Sequence, residues 1–220
     1  MDNFAALILS HGRPDKVKTA RTLRRQGYTG RIVIVLDDMD TSQESYREAY
    51  KDEPGVEIYV FSKEALVGSF DIGDNRVDDL RSVIFARNAV RSIVDDLGLS
   101  TFLVLDDDYV AFEWRFTDSL EWAFAGSGDH KMSGYYTESL DEIFTLLMEF
   151  HATCPPSVKT LAMAQSGDFI GGKENSKAQS VTLLRKAMQT FFCRPERDID
   201  WVARLNDDVS TYSVGSSRGE

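Results

Sequence analysis

At 220 residues, 42% of them hydrophobic and 28% charged, the chain is long enough to bury a sizeable core and reads as one domain over its whole length. This composition excludes a disordered, fibrous or repeat architecture. With 36 acidic against 25 basic residues the net charge is −11, so the molecule repels a phosphate backbone at long range and any nucleic-acid contact is local.

The first apolar run, "FAALILS", ends in "HGRP" and reads as a strand buried on both faces. Pro14 suits the first turn of the following helix, Val17, Ala20 and Leu23 share one side of it, and Gly27 stops it. "RIVIVLDD" is the second strand. "TSQE" after it has the Thr-x-x-Glu form of a capping box and opens a helix that Pro54-Gly55 ends. "VEIYVF" is the third strand. A polar stretch then leads to a helix in which Val83, Ala86, Val90, Ile93 and Leu97 recur at helical spacing, closed by Gly98. "TFLVL" is the fourth strand and runs into Asp106-Asp107-Asp108. Strands alternating with helices imply a mostly parallel α/β sheet covered on both faces.

Beyond the triple aspartate, an aromatic-rich insertion with Trp114, Phe116, Trp122, Phe124, Tyr135 and Tyr136 matches neither period. "SLDEIFTLLMEFHAT" is then a capped amphipathic helix with Ile143, Leu146, Leu147 and Phe150 inward. "KTLAMA" and "AMQTFFC" read as two more strands, joined through a glycine-rich connection holding "GDFIGG". The chain finishes with "LNDDVSTY" and a polar tail lacking a closing hydrophobic element, the form of a truncated C-terminus. Cys154 and Cys193 have no metal-ligand spacing, no apolar run approaches the roughly 18 residues of a membrane span, and no signal peptide precedes the first strand. A soluble, cytoplasmic protein with no membrane partner is expected.

In an open parallel sheet the ligand crevice lies at the carboxyl ends of the strands. Asp37-Asp38 and Asp106-Asp107-Asp108 both sit at such ends, so they should converge on one edge. Oxygen ligands at this density suit Mg²⁺ or Mn²⁺, which keep open positions for waters and phosphate oxygens. Asp106 and Asp108 can reach one ion. The role of Asp107 stays open.

The order "LILSHGRP", "IVIVLDD", "ARNAV", "FLVLDDDY" and a late "NDDVSTY" resembles a GT-A fold glycosyltransferase. More narrowly, it is similar to the phage-encoded glycosyltransferases associated with TET/JBP oxygenases, over nearly the whole chain. The resemblance implies transfer of a sugar from a nucleotide-sugar, a UDP-sugar by preference, to a hydroxymethylated pyrimidine of the 5-hydroxymethylcytosine type in phage DNA, with inversion. In that family reading Ser10, His11, Gly12 and Arg13 line the nucleotide pocket, and Asp37 or Asp38 meets the base or ribose. Arg87 and Asn88 reach toward the diphosphate, Asp106 and Asp108 hold the metal, and Asp107 lines the donor site. Gly171 and Gly172 form a backbone wall for donor or acceptor. Asp208 is the base that takes the acceptor proton, and Asp207 its neighbour, an assignment between the two that stays open because the family often shows glutamate where Asp207 stands.

A basic block, Arg13, Lys16, Lys18, Arg21, Arg24, Arg25 and Arg31, offers a local backbone contact, and the aromatic insertion offers stacking surface for a flipped base. A solvated helix face and a packed lid are the plainer alternatives. Two further readings stand beside this one: the same fold acting on protein, lipid or polysaccharide, and an inactive relative that only binds nucleotide-sugar. A nucleotidyltransferase would carry a glycine-rich, lysine-containing segment after the first strand, which "SHGRPDK" lacks.

Overall fold

The computed structural model describes residues 3–76, 79–114, 137–165, 181–183, 187–197 and 199–219. Its six strands are β1 (Phe4–Leu9), β2 (Arg31–Asp37), β3 (Val56–Phe61), β4 (Thr101–Asp106), β5 (Leu161–Ala162) and β6 (Phe191–Cys193), in the spatial order β3-β2-β1-β4-β6-β5. The first four pair in parallel, as the strand and helix alternation predicts. The other edge is antiparallel: β6 runs against β4, and β5 against β6. There the two predicted strands shrink to two and three residues. Thr190, at φ 60, cannot be extended, so β6 begins only at Phe191.

Alternation along the parallel strands divides the interior into two cores. Ala6, Ile8, Ile32, Ile34, Leu36, Leu103 and Leu105 face α1 (Lys18–Arg25), α2 (Gln43–Tyr50) and α4 (Leu140–Thr153). Ala5, Leu7, Val33, Val35, Phe102 and Val104 face α3 (Val83–Asp96). At about 25 cal/mol per Å² of apolar area removed from water, these two layers are the main favourable contribution to folding.

Two of the predicted stops, Gly27 and Gly98, are real, whereas α2 ends at Tyr50, ahead of the expected Pro54-Gly55. After α1, Tyr28 N–H bonds to Leu23 O and Gly27 N–H to Arg24 O, and after α3, Leu99 N–H bonds to Val94 O and Gly98 N–H to Asp95 O. Both are Schellman closures with glycine in the left-handed region, at φ 84 and 64. Gly27 is needed for a second reason, since a Cβ there would stand 2.1 Å from the carbonyl oxygen of Glu138.

Three sequence expectations are corrected. The Thr41-x-x-Glu44 capping box does not form; Ser42 is the N-cap without a side-chain bond, and Asp40 Oδ1 accepts from Ser42 N–H at 2.7 Å. In α4 the buried side is Leu140, Phe144 and His151, while Leu146 and Phe150 are 64% and 43% exposed. Phe144 turns the helix because four rings surround it, those of Phe4, Tyr28, Phe112 and Phe192, at centroid distances of 5.4 to 6.3 Å. In α3, Val83 is exposed and the buried side runs through Ile84, Phe85, Arg87, Ala89, Val90, Ile93 and Val94. Among the described residues no helix is long and apolar enough to cross a membrane.

Candidate functional site

The chain lays β1, β2 and β3 outward in one direction and then returns to place β4 on the other side of β1. This reversal is a topological switch point, where open α/β sheets bind ligands beyond the strands' carboxyl ends. Leu9 pairs with Asp106 across it. The next residues, Ser10 and Asp107, are therefore neighbours, and Ser10 Oγ donates to Asp107 Oδ2 at 2.5 Å.

Asp107 is 1% exposed and holds the loop after β1 in place. Arg13 Nε donates to its Oδ2 at 2.8 Å, and Arg13 Nη2 lies 2.7 Å from Oδ1. The Nε bond is charge-assisted and directional, and the Nη2 approach adds ionic attraction without a second aligned hydrogen bond. The buried Tyr46 hydroxyl completes the frame, 2.8 Å from Ser10 Oγ and accepting from Arg13 N–H at 3.0 Å. Gly12, at φ 67, aims its N–H at Asp40 Oδ2, 2.7 Å away.

Asp37 and Asp38 reach the same edge but differ in setting. Asp37 is buried, with His11 Nδ1 2.7 Å and Lys63 Nζ 3.0 Å from its Oδ2. Asp38 is exposed; the Ser62 hydroxyl is the largest influence on its carboxyl and, with the Lys63 N–H, holds it below the usual range against the opposing effect of burial. For Asp40 burial pushes upward, yet bonds from the Gly12 and Ser42 N–H groups and the nearby His11 outweigh it, so its carboxyl is also held low.

On the other side of β4, Asp207 and Asp208 open α5 (Asp207–Ser217), a helix N-terminus that favours carboxylates. Arg87 Nε lies 3.1 Å from Asp207 Oδ2, and Arg87 Nη2 3.9 Å from Asp106 Oδ1. Burial raises the carboxyl pKa of both Asp106 and Asp207; Arg87 opposes this in each. Asp108, Asp107 and Asp207 all push Asp106 further up, which places four carboxylates within electrostatic reach of one another. Asn88 serves the same wall differently: its Nδ2 donates to Ile84 O and Trp201 O at 3.0 Å, and its Oδ1 accepts from Trp201 N–H at 3.3 Å.

The acidic turn is clamped from α1. Thr19 Oγ1 donates to Asp106 O and accepts from Tyr109 N–H; Thr22 Oγ1 donates to Tyr109 O, and Arg25 to Val110 O. Gln26 donates to Phe112 O and accepts from Phe112 N–H. Much of the basic block is thus paired within the chain, at or near its surface: Arg13 to Asp107, Arg24 to the carbonyls of Tyr28, Gly30 and Pro54, Arg25 to Val110, and Arg31 to Glu57.

Asp40, Tyr46, Lys63 and Trp201 contact the predicted site residues Gly12, Arg13, Asp37 and Arg87, and sequence reasoning missed them, as it missed the buried Arg204 further out. Arg204 joins Asp74 and the carbonyls of Arg76 and Asp79, so it ties the stretch before α3 to the segment leading into α5. For Lys63 a signal existed, a basic residue just past the end of β3. For the others there was none, because each acts across long sequence separations. Gly171, Gly172, Phe116, Trp122, Phe124, Tyr135 and Tyr136 lie outside the described residues.

Among the described residues no group of three or more His, Cys, Asp or Glu side chains could hold a metal ion. Asp106 and Asp108 flank the buried Asp107 on the turn after β4, and as two carboxylates they are the donor type that a hard cation keeping most of its waters would use. Burial first, and then the neighbouring carboxylates, push Asp106 upward, and a bound cation would offset both.

Residues 4–220 match the family model of the TET-associated glycosyltransferases. No curated protein gives a significant match. Among solved structures, a 4-diphosphocytidyl-2C-methyl-D-erythritol synthase is similar at 14% identity and a TM-score of 0.41, covering 96% of this chain and 84% of that one.

Proposed function

The chain belongs to the TET-associated glycosyltransferase family, and from that premise we propose that it moves a sugar from a UDP-sugar to the hydroxymethyl group of a modified pyrimidine, of the 5-hydroxymethylcytosine type, in DNA. The observation that supports this reading is the convergence of the Ser10–Arg13 loop, Asp38 and the triple aspartate on the switch point of the sheet. A nucleotide laid along this edge meets Asp38, the exposed member of its pair, at the base or ribose. The half-exposed Arg13 faces the phosphates, with Asp107 and Tyr46 setting its direction.

Asp106 and Asp108 would hold Mn²⁺ or Mg²⁺, which supplies positive charge to the leaving diphosphate. Asp208 takes the proton of the acceptor hydroxyl as its oxygen bonds to the anomeric carbon and the carbon–oxygen bond to the diphosphate breaks. Attack from the face opposite the diphosphate inverts the anomeric centre. The placement of Asp207 and Asp208 on α5, across β4 from the nucleotide loop, suits such an approach.

A second reading keeps the donor chemistry and changes the acceptor to protein, lipid or polysaccharide. The net charge of −11, together with a basic block largely paired within the chain, favours it. One experiment decides between them: incubation with hydroxymethylated DNA, Mn²⁺ and a panel of UDP-sugars, followed by mass spectrometry of the nucleosides. A pyrimidine heavier by one sugar is the expected result. Release of UDP with no gain on any base, and sugar found on another acceptor, would overturn the DNA assignment.

A further inference from the structure

Arg87 projects from α3 toward β4 and the start of α5 and is 7% exposed. Its guanidinium stacks against two rings, 4.7 Å from the Trp201 centroid and 5.1 Å from that of Phe191. It is near both Asp207, at 3.1 Å, and Asp106, at 3.9 Å, yet neither approach is an aligned hydrogen bond. Buried Arg87 Nε and Nη1 and Asp207 Oδ2 are left without hydrogen-bond partners. A buried ion pair held off its best geometry is a poor source of stability, so its retention at a reaction centre calls for another use.

The two rings, nearly perpendicular at 76°, wall the guanidinium in, and it lies between the carboxylate at the end of β4 and the one that opens α5. Resting on the reading of Asp207 and Asp208 as acceptor-side acids, we propose that Arg87 is a positioning residue of the transfer. It pins Asp207, thereby sets the first turn of α5 that presents Asp208, and keeps that turn in step with Asp106. The aim differs from a grip on the diphosphate, because the guanidinium is turned inward between carboxylates.

Two measurements on the full chain test this. Urea unfolding of Arg87→Gln, Asp207→Asn and the double variant needs no substrate. The double variant should be no less stable than the weaker single one, whereas additive losses would overturn the pairing. Turnover is then followed with UDP-glucose, Mn²⁺ and an oligonucleotide containing 5-hydroxymethylcytosine. Arg87→Lys, which keeps the charge and loses the stacked fork, should lower kcat by about a hundredfold with the UDP-glucose KM within roughly twofold. Combining it with Asp208→Asn should add little to the loss from Asp208→Asn alone. A raised UDP-glucose KM with unchanged kcat would make Arg87 a diphosphate ligand, and lower stability with unchanged kcat would make it purely structural; either sinks the proposal. Failure of the underlying reading looks different: the wild type turns nothing over, or Asp207→Asn and Asp208→Asn both keep the wild-type kcat.

Discussion

Arg13 and Asp107 meet through two contacts, Nε to Oδ2 at 2.8 Å and Nη2 to Oδ1 at 2.7 Å, and the same Oδ2 receives the hydroxyl of Ser10. The middle aspartate of the acidic triplet is thus a buried brace for the loop after β1. Asp107→Ala should destabilise the chain by about 1–3 kcal/mol, mostly through the loss at Ser10 and the enclosed carboxylate, since Arg13 is half-exposed and can return to water. Urea unfolding measures this. Calorimetric titration should show Mn²⁺ affinity close to that of the wild type.

Asp108 should behave in the opposite way. It is exposed, so Asp108→Ala should change stability by no more than about 0.5 kcal/mol while abolishing Mn²⁺ binding and UDP release. Undiminished Mn²⁺ binding by the variant would take Asp108 out of the cation site.

Thr19 gives a third contrast. Its hydroxyl serves Asp106 O at 2.6 Å and Tyr109 N–H at 2.9 Å on either side of the turn. Thr19→Val keeps the shape and removes both bonds, leaving an N–H and a carbonyl wanting partners at a loss of about 1–3 kcal/mol. The turn should loosen as well, so kcat falls together with Mn²⁺ affinity. A variant that loses stability but binds Mn²⁺ normally would show that the clamp does not shape the turn.

A pH effect on stability should arise far from the acidic edge, at His151. Burial depresses its pKa below the ordinary 6.5, although the bond from its Nε2–H to Val158 O opposes this in part. A depressed folded value means the unfolded chain takes up the proton first. The contribution of the neutral ring is therefore fully present above pH 6.5 and is lost as the pH falls through the folded value. Thermal unfolding between pH 7 and pH 5 should show this slope in the wild type and a flatter one in His151→Gln. Equal slopes would mean that the ring takes up its proton alike in the folded and unfolded chain, and that burial does not depress its pKa.

The central strands and the glycine stops were legible in the sequence because they follow from local chemistry: an unbroken apolar run such as "FAALIL" has few other ways to be buried, and Gly27 and Gly98 suit the left-handed closures. The inward side of α4 was legible only in part: Ile143 and Leu147 pack against the core as their spacing suggests, but four rings from distant parts of the chain, and not its own spacing, put Phe144 at the centre. Asp106, Asp107 and Asp108 could be placed at the strand end, but their division of labour depended on Ser10 and Arg13, more than ninety residues away. The burial of Arg87 was not legible either. A charged residue on a helix suggests solvent or ligand, and only Trp201 and Phe191, brought in from the end of the chain, explain why it is enclosed.

The clamp from α1 has an evolutionary corollary. Thr19, Thr22, Arg25 and Gln26 all grip main-chain atoms of Asp106, Tyr109, Val110 and Phe112, and take no side chain of that stretch. A hold of this kind is blind to the identity of the residues it holds. An exposed position such as Val110, held only through its carbonyl, is therefore free to be exchanged without dismantling the turn, so that new substrate preferences can be tried on an unchanged chassis.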